Sequence, residues 1–254
     1  MDRPPSPCSK DRFSDRVENY IRYRPTYPPE IIDLLERETG LSPTTLIADI
    51  GSGTGISSEL FLTAGFQVIG IEPNREMREA AERLLEKYPA FTSINGSAQE
   101  TTLVDHSIDL IVAAQAFHWF YTPETRAEFD RILKPTGKIA LIWNERKLDT
   151  TAFLRDYEAL LLRFGTDYSE IRHENVGANL ADFFHGPMKV STFANEQLFD
   201  FEGVKGRLLS SSYASAEGHP QHQAMIAELQ RIFDLHHENG RVAIEYKTEL
   251  YIGR

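Results

Sequence analysis

Residues 46–55 read Leu-Ile-Ala-Asp-Ile-Gly-Ser-Gly-Thr-Gly, an apolar run of strand length that leads into glycines at alternate positions. Gly51, Gly53 and Gly55 predict a tight turn at the tip of this strand, because glycine permits both left-handed dihedrals and a close approach of the backbone to a ligand. A helical pattern begins at Ile56, and a helix N-terminus favours negative groups. The stretch therefore predicts a β-α unit with a ligand site at the end of its strand.

A carboxylate ends the second strand of the same unit. The apolar run at 67–71 stops at Glu72, seventeen residues after Gly55. At the tip of the second strand of a β-α-β unit, a carboxylate binds the paired hydroxyls of a ribose. We therefore expect a cofactor that contains a nucleoside.

The spacing of the glycines distinguishes between classes of such cofactors. The dinucleotide fingerprint requires glycine or alanine three residues after its second glycine, and this chain has Ile56 at that position. The mismatch disfavours a nicotinamide-dependent oxidoreductase, which stays as an alternative. The observed pattern, Asp-x-Gly-x-Gly-x-Gly from Asp49 to Gly55, resembles motif I of the class I S-adenosylmethionine-dependent methyltransferases.

The resemblance to class I methyltransferases implies S-adenosylmethionine as the cofactor. Its methionine part would lie over the glycine turn, and its ribose would bind Glu72. Glu72-Pro73-Asn74 with Met77 resembles the second motif, and Gly96-Ser97-Ala98-Gln99 falls where the family has its adenine-contacting turn. The cofactor-binding residues implied in this way are Arg24, Asp49, Gly51, Gly53, Gly55, Glu72, Pro73, Ala98, Gln99 and Gln115.

One position departs from the family pattern in the adenine turn. Many members carry aspartate before the alanine, where this chain has Ser97. Adenine recognition then rests either on the backbone of Ala98 and Gln99 or on the Gln99 side chain, and the sequence leaves both open.

Two segments resemble a narrower, small-molecule branch, the methyltransferase type 11 group that includes trans-aconitate methyltransferase-like enzymes. They are Gln-Ala-Phe-His-Trp-Phe at 115–120 and the opening stretch 13–28 with Tyr23-Arg24-Pro25. The likeness implies a helical cap over residues 13–40, in which Arg24 lies near the methionine carboxylate or an acidic substrate. The other interpretation of Arg24 is a solvated surface arginine. A weaker resemblance to the same group is found at 207–213, which reads Arg-Leu-Leu-Ser-Ser-Ser-Tyr.

Strand and helix patterns alternate as far as Asn144 and predict an α/β fold with a doubly wound, mostly parallel Rossmann-like sheet. Thr122 and Pro123 have the residue types of a helix N-cap and first position, and Lys134-Pro135-Thr136-Gly137 is expected to end that helix. The predicted strands lie at about 46–50, 67–71, 91–95, 108–113 and 138–143, and the predicted helices at about 56–64, 74–86 and 123–133.

The alternation breaks after Asn144. Strand-like runs at about 188–200 and 241–252 suit the antiparallel strand pair with which class I methyltransferases end. We expect a disordered, Pro- and Ser-rich tail at 1–12 followed by a single methyltransferase domain over 13–254. The segment 146–185 would be an insertion over the carboxyl ends of the strands, near the active site.

Composition narrows the classes of partner. The 254 residues carry a formal net charge of -11, which argues against nucleic acid because a phosphate backbone calls for a basic face. The only cysteine, Cys8, cannot form an internal disulfide, and no run of about 18 apolar residues suggests a membrane span. We expect a cytoplasmic protein, monomer or homodimer, that binds no membrane and acts on a small molecule.

His118 is the candidate catalytic residue, because it follows the fourth strand at the cofactor end of the sheet. It is either a general base or part of an aromatic wall between Phe117 and Trp119, and a carboxylate acceptor would need no base. Trp119 and Phe120 either line the acceptor pocket or fill the core. No metal is expected, because the histidines lack the spacing and the carboxylate or cysteine neighbours of a metal site; they are His219, His222, His236 and His237.

The expected reaction is methyl transfer to a small metabolite, with a carboxylate-bearing acceptor as the favoured subclass. The cations expected near the mouth of the site are Arg22, Arg24, Arg146 and Lys147. Besides the oxidoreductase, a catalytically silent module that binds S-adenosylmethionine stays open. In that case side chains or a subunit should fill the space above Gly51 and Gln115.

Overall fold

The computed structural model describes residues 21–166, 168, 176–211, 213–215 and 217–254, with the backbone alone for 176–179. In these residues seven strands form one sheet in the order β3-β2-β1-β4-β5-β7-β6. The strands are β1 Leu46–Ile50, β2 Gln67–Ile71, β3 Phe91–Ile94, β4 Ile108–Ala114, β5 Leu133–Arg146, β6 Lys189–Phe199 and β7 Val242–Gly253. The helices are α1 Glu30–Thr39, α2 Ile56–Thr63, α3 Arg75–Leu85, α4 Pro123–Ile132, α5 Ala152–Phe164, α6 Val176–Phe183, α7 Phe201–Leu209 and α8 His222–His236.

The sheet is parallel from β3 to β5 and antiparallel at its other end. β1 pairs in parallel with β2 and β4, and β4 pairs in parallel with β5. β7 runs antiparallel between β5 and β6. The prediction of a mostly parallel Rossmann-like sheet that ends in an antiparallel pair is confirmed, because both late strands join the main sheet.

Apolar side chains on both faces of the sheet explain why its strands read as near-continuous hydrophobic runs. On one face, Ile31, Leu35 and Phe61 of α1 and α2 pack in the same cluster as Ile47 of β1. On the other face, Phe129 of α4 packs in a second cluster. The carboxyl ends of β1, β2 and β4 are left at one edge, where ligands bind in such sheets.

The largest difference from the predicted boundaries lies at the start of β5. Helix α4 begins as expected, since the Thr122 hydroxyl accepts from the Thr125 N–H at 3.2 Å. The helix ends at Ile132, but the strand starts at Leu133 instead of near residue 138. The pairing jumps from Ile108 with Leu133 to Leu110 with Lys138, so the intervening residues form a bulge. Turn-type residues at 134–137 therefore mark an irregular strand rather than a loop.

Three of the helices form a separate apolar cluster at the antiparallel end of the sheet. Helices α5, α7 and α8 pack there with β7, through Leu154, Leu208, Leu229 and Ile244 among others. The predicted tail at 1–12, including Cys8, and residues 13–20 of the predicted helical cap lie outside the described residues. The division into a cap, an insertion and one domain stays a prediction. Of the described helices, none is both long and apolar enough to cross a membrane.

Candidate functional site

The glycine turn after β1 has the backbone conformation that the sequence predicts. Gly51, Gly53 and Gly55 all have left-handed φ values, of 70°, 55° and 86°. A Cβ on Gly51 would lie 2.7 Å from the Cβ of Ala116 and 3.2 Å from the Phe120 ring. The turn can therefore lie against the segment that follows β4 only because Gly51 has no side chain.

Glu72 lies at the tip of β2 and faces the glycine turn. Its Oε2 accepts a hydrogen bond from the Gly53 N–H at 3.0 Å, and its Oε1 accepts one from the Asn74 N–H at 2.8 Å. Burial raises the pKa of this carboxyl above its ordinary value, although both N–H donors oppose the rise. Each carboxylate oxygen has a further lone pair, so the group can accept additional hydrogen bonds from a ligand.

Asp49 occupies a different environment from Glu72, although both end a strand. Its side chain is fully buried, and Oδ2 accepts from the Ser57 and Ser58 hydroxyls at 2.7 Å each. Burial raises its pKa to about 6, against the opposing effect of those hydrogen bonds. Asp49 thereby links the end of β1 to the first turn of α2, behind the glycine turn.

A cavity of about 200 Å³ lies at the carboxyl ends of β1, β2 and β4. Its lining contains Gly51, Gly53, Glu72, Pro73, Asn74, Met77, Ser97, Ala98, Gln99, Ala114, Gln115, Ala116, Trp119 and Phe120. Most of the residues that the sequence nominated for the cofactor are in this set. The nominated residues outside it are Arg24, Asp49, Gly55 and His118.

The predicted adenine turn forms one wall of the cavity. The Ser97 N–H donates to the Glu100 carbonyl at 3.1 Å and the Glu100 N–H donates back at 3.2 Å, which holds a tight turn. Ala98 and Gln99 lie within this turn and line the cavity. Asn74 also lines it, and its side chain caps α3 by accepting from the Met77 N–H at 3.0 Å. The sequence did not nominate Asn74 for the site, although a polar residue at a helix N-cap beside Glu72 was the available signal.

Gln115 ends β4 with a positive φ of 55°, an uncommon conformation for a residue other than glycine. Its N–H donates to the Ile142 carbonyl at 2.9 Å, and its side-chain Nε2 donates to the Asn144 carbonyl at 3.0 Å. The amide is thus fixed by β5 while the residue lines the cavity. Strained backbone of this kind is concentrated at functional sites.

Asn144 connects the cavity to the N-terminal segment, and sequence reasoning missed it. Its Nδ2 donates to the Thr26 carbonyl at 3.1 Å, and its Oδ1 accepts from Asn195 Nδ2 at 3.1 Å and from the Thr248 hydroxyl. These partners come from the segment before α1 and from β6 and β7. A buried asparagine at the end of an apolar strand is a signal, but its partners cannot be read from the sequence.

The segment after β4 forms an aromatic wall. Phe117 is buried and packs against Phe183 of α6, with ring centroids 4.5 Å apart. His118 is half-buried, with its ring 4.7 Å from the Trp119 ring centroid. Trp119 and Phe120 line the cavity, and Trp119 is 41% exposed. Phe120 also packs against Phe129 of the core, so the two alternatives for this residue, cavity lining and core, both apply.

Three of the cations expected near the mouth have partners within the protein. Arg24 Nη2 donates to the Ser210 carbonyl at 3.0 Å, Arg146 pairs with Glu158, and Lys147 pairs with Glu245 at 3.1 Å. In the described part of the chain no group of three or more metal-type ligands occurs.

Comparisons with known proteins agree with this architecture. Residues 48–141 match the methyltransferase domain family. This segment, which runs from β1 to β5, is similar to a methyltransferase domain. An uncharacterized methyltransferase-like protein of Schizosaccharomyces pombe is 34% identical over 156 residues, which are 61% of this chain and 59% of that relative. The chain thus spans less than two thirds of the length of these curated relatives.

Solved structures share the fold of this methyltransferase domain. A protein of Anaeromyxobacter dehalogenans assigned as a type II methyltransferase superposes with a TM-score of 0.69 at 19% identity, over 91% of this chain and 98% of that one. Phosphoethanolamine N-methyltransferase 2 of Haemonchus contortus, solved with phosphomonomethylethanolamine and S-adenosylhomocysteine, superposes with a TM-score of 0.55 at 15% identity, over 94% of this chain and 56% of that one.

The predicted resemblance to class I methyltransferases is confirmed for the domain, which contains the glycine turn, Glu72 and the wall after β4. The oxidoreductase alternative is not favoured. The assignment to the trans-aconitate methyltransferase-like branch stays a prediction.

Proposed function

We propose that this protein transfers the methyl group of S-adenosylmethionine to a small metabolite, with a carboxylate as the favoured acceptor. The observation that carries the proposal is Glu72, which lies 3.0 Å from the Gly53 N–H and lines the cavity. Its remaining lone pairs suit the paired hydroxyls of a ribose. A carboxylate whose burial already raises its pKa gains from two further hydrogen-bond donors.

The rest of the lining suits the other parts of the cofactor. The turn at Ser97–Glu100 offers backbone groups beside Ala98 and Gln99 to an adenine ring. The turn at Gly51 and Gly53 carries no side chain into the cavity and would receive the methionine part. Asp49 and Gly55 act from behind the turn, through Ser57 and Ser58 and through the start of α2.

Methyl transfer from a sulfonium is an in-line displacement, in which the acceptor atom attacks the methyl carbon as the bond to sulfur breaks. The protein contributes by positioning the acceptor and excluding water. Gln115, Trp119 and Phe120 are the residues proposed for this task, because they line the cavity at the end of β4. An ionised carboxylate needs no deprotonation, so in this proposal His118 supports the wall through its ring contact with Trp119.

Calorimetric titration with S-adenosylhomocysteine and, separately, with NAD tests the cofactor. We expect S-adenosylhomocysteine to bind and Glu72→Ala to weaken that binding by about 1.5–3 kcal/mol, the cost of lost hydrogen bonds to a charged group. Glu79→Ala is the matched control, because Glu79 is an exposed glutamate of α3 that pairs with exposed Arg75. Binding of NAD alone would contradict the proposal.

A screen for released S-adenosylhomocysteine over pooled carboxylic acids, phenols and amines tests the acceptor. Turnover with carboxylic acids that persists in His118→Ala supports the proposal. Turnover with only phenols or amines, lost in His118→Ala, would make His118 the base and overturn the carboxylate subclass. Binding of the cofactor without turnover of any pool would favour the silent module.

A further inference from the structure

Arg207 has a buried guanidinium and begins the segment 207–213, which weakly resembles the type 11 group. It lies outside the cavity lining described above. It lies on α7 and is only 6% exposed. Its Nε donates to the Tyr246 hydroxyl at 3.1 Å, and its Nη1 donates to the Ser211 hydroxyl at 3.1 Å and to the Ser210 hydroxyl at 3.5 Å. All of these acceptors are hydroxyl oxygens.

In the described part of the chain, Arg207 therefore has no carboxylate partner, and its Nη2 makes no hydrogen bond. The other groups close to it are Tyr157 and Tyr213. A tyrosine hydroxyl carries no charge at neutral pH, and burial raises the pKa of Tyr157 further. A buried charge is normally paired, because an uncompensated one is strongly disfavoured.

Arg146, which lies beside Tyr157, has the arrangement that is usual for a buried cation, a carboxylate partner. It pairs with Glu158, donates to the Tyr168 hydroxyl at 2.8 Å and stacks over the Tyr157 ring at 5.2 Å. Arg146 and Arg207 thus both lie close to Tyr157, and the Glu158 carboxylate pairs with Arg146 and accepts from the Tyr168 hydroxyl at 2.6 Å. Among the described residues, the positive charge of Arg207 is thus left without a negative partner.

The position of Arg207 relates it to the cofactor end of the sheet. Tyr246, which accepts from Arg207, is paired with Arg146 where β5 and β7 run side by side. Two residues earlier on β5, the Asn144 carbonyl accepts from Gln115 of the cavity lining. At a rise of about 3.3 Å per residue, this step along the strand covers about 7 Å. Arg207 is thus connected, through the Tyr246 hydroxyl, to the end of β5 whose Asn144 carbonyl holds Gln115.

We propose that Arg207 binds a carboxylate of the methyl acceptor, distant from the atom that receives the methyl group. This inference rests on the proposed function and makes it more specific: the acceptor carries a carboxylate that is not methylated as well as the reacting group. One guanidinium with a free Nη2 matches the single charge of a carboxylate, whereas a phosphate dianion calls for more donors. Arg207 is in this proposal a specificity-determining residue.

The N-terminal segment closes over the same place. A Cβ on Gly206 would lie 2.0 Å from the Tyr23 ring, so that ring packs directly on α7 beside Arg207. The Tyr23 carbonyl also accepts from Gln197 Nε2 at 3.2 Å, and the Tyr246 hydroxyl donates to Gln197 Oε1 at 2.9 Å. Tyr23 thus covers α7 next to Arg207, and the burial of the guanidinium strengthens its attraction for a carboxylate.

The test is calorimetric titration of succinate, citrate and benzoate into the protein saturated with S-adenosylhomocysteine, with succinamide and inorganic phosphate as comparison ligands. We expect at least one carboxylate to bind, and Arg207→Met to weaken it roughly tenfold to a hundredfold, as for the loss of a charged hydrogen bond. Arg207→Lys should retain part of the affinity. Arg163→Met, which removes an exposed arginine of α5, should leave it unchanged.

Several results would overturn the proposal while leaving the proposed function intact. They are binding of S-adenosylhomocysteine without binding of any of these carboxylates, equal carboxylate affinities in Arg207→Met and the unaltered protein, and tighter binding of phosphate than of every carboxylate. If Arg207→Met does not fold, the Arg207 Nε–H resonance of the unaltered protein decides the matter. A shift on adding the carboxylate supports the proposal, and its absence overturns it. Failure of S-adenosylhomocysteine to bind would instead contradict the proposed function.

Discussion

Two regions of this protein bury charge of opposite sign, and they stabilise it differently. At the tips of β1 and β2, the carboxylates of Asp49 and Glu72 accept from N–H and O–H donors of the same β-α-β unit. Between α7 and β7, the guanidinium of Arg207 donates to hydroxyls, one of them from Tyr246, 39 positions away. The first region is built by a local motif, and the second is assembled from distant parts of the chain.

The comparison shows where ligand chemistry can be expected. In the first region the Asp49 Oδ2 atom accepts from the Ser57 and Ser58 hydroxyls behind the glycine turn, whereas Glu72 faces the cavity. In the second, Arg146 has the carboxylate of Glu158, whereas the partners of Arg207 among the described residues are neutral hydroxyls. Each region thus contains one charged side chain that stabilises the structure and a second that can still bind a ligand.

The largest effect is expected from Gly51→Ala, which tests the local region. The new Cβ would combine a left-handed φ of 70° with a 2.7 Å contact to Ala116. The left-handed conformation costs about 1–2 kcal/mol, and overpacking adds about 1–3 kcal/mol. Gly53→Ala is the control, because its Cβ would have nothing within 4 Å. Urea unfolding should show a markedly larger loss for Gly51→Ala, and equal losses would contradict the close approach.

The second prediction concerns Asp49→Asn and the pH dependence of stability. Burial raises the pKa of Asp49 from 3.8 to about 6, so between these values the folded state binds more protons than the unfolded state. The contribution of Asp49 to the free energy of unfolding therefore rises as the pH falls from 7 to 4, by on the order of 3 kcal/mol. Asp49→Asn lacks this component.

The difference between the two stability curves isolates Asp49 from the other carboxyls. Glu128 has the opposite behaviour, since its hydrogen bonds with Arg131 and Thr101 lower its pKa to about 2. Its contribution is present above pH 4.5 and is lost as the pH falls toward 2. Parallel curves for the unaltered protein and Asp49→Asn would show that Asp49 does not titrate between about pH 4 and 6.

A smaller effect is expected from Tyr246→Phe, which tests the distant region. The change removes the hydroxyl that accepts from Arg207 and donates to Gln197. A buried donor left unsatisfied costs about 1–3 kcal/mol. Tyr88→Phe, which removes a hydroxyl in a more exposed place, should cost less than about 0.5 kcal/mol. Equal unfolding free energies for the two variants would argue against a structural role of the Tyr246 hydroxyl.

The smallest effect on stability is expected from Asn195→Ala, which weakens the link between the regions. Asn195 Nδ2 donates to the Thr26 carbonyl at 2.8 Å and to Asn144 Oδ1 at 3.1 Å. The loss should be about 0.5–1.5 kcal/mol, but amide exchange in residues 21–29 should become faster. Thr192→Ala, at an exposed position of the same strand, should change neither. Unchanged exchange in Asn195→Ala would show that the N-terminal segment is held by other contacts.

The sequence by itself determined the parallel sheet and the residues around its cofactor end. Helix and strand periodicity identified β1 to β4 within a residue or two, and the glycine spacing indicated the left-handed turn that follows β1. These signals work because the interactions involved are local: a left-handed turn needs glycine, and Glu72 follows its own strand. The start of β5 was misjudged, because a bulge and a loop use the same residue types.

Only the tertiary structure decided which charged side chains have partners. The sequence placed Arg146 and Lys147 among the cations near the mouth of the site, with solvated surface charges as the alternative, but Glu158 and Glu245 pair with them. The sequence indicated Arg207 only as part of a segment that weakly resembles the type 11 group, and it did not single out Asn144. Hydrogen bonds across 39 to 118 positions depend on how β5, β7 and α7 pack. Sequence periodicity records which face of an element is buried, but not which distant element covers it, and this is why these contacts could not be predicted.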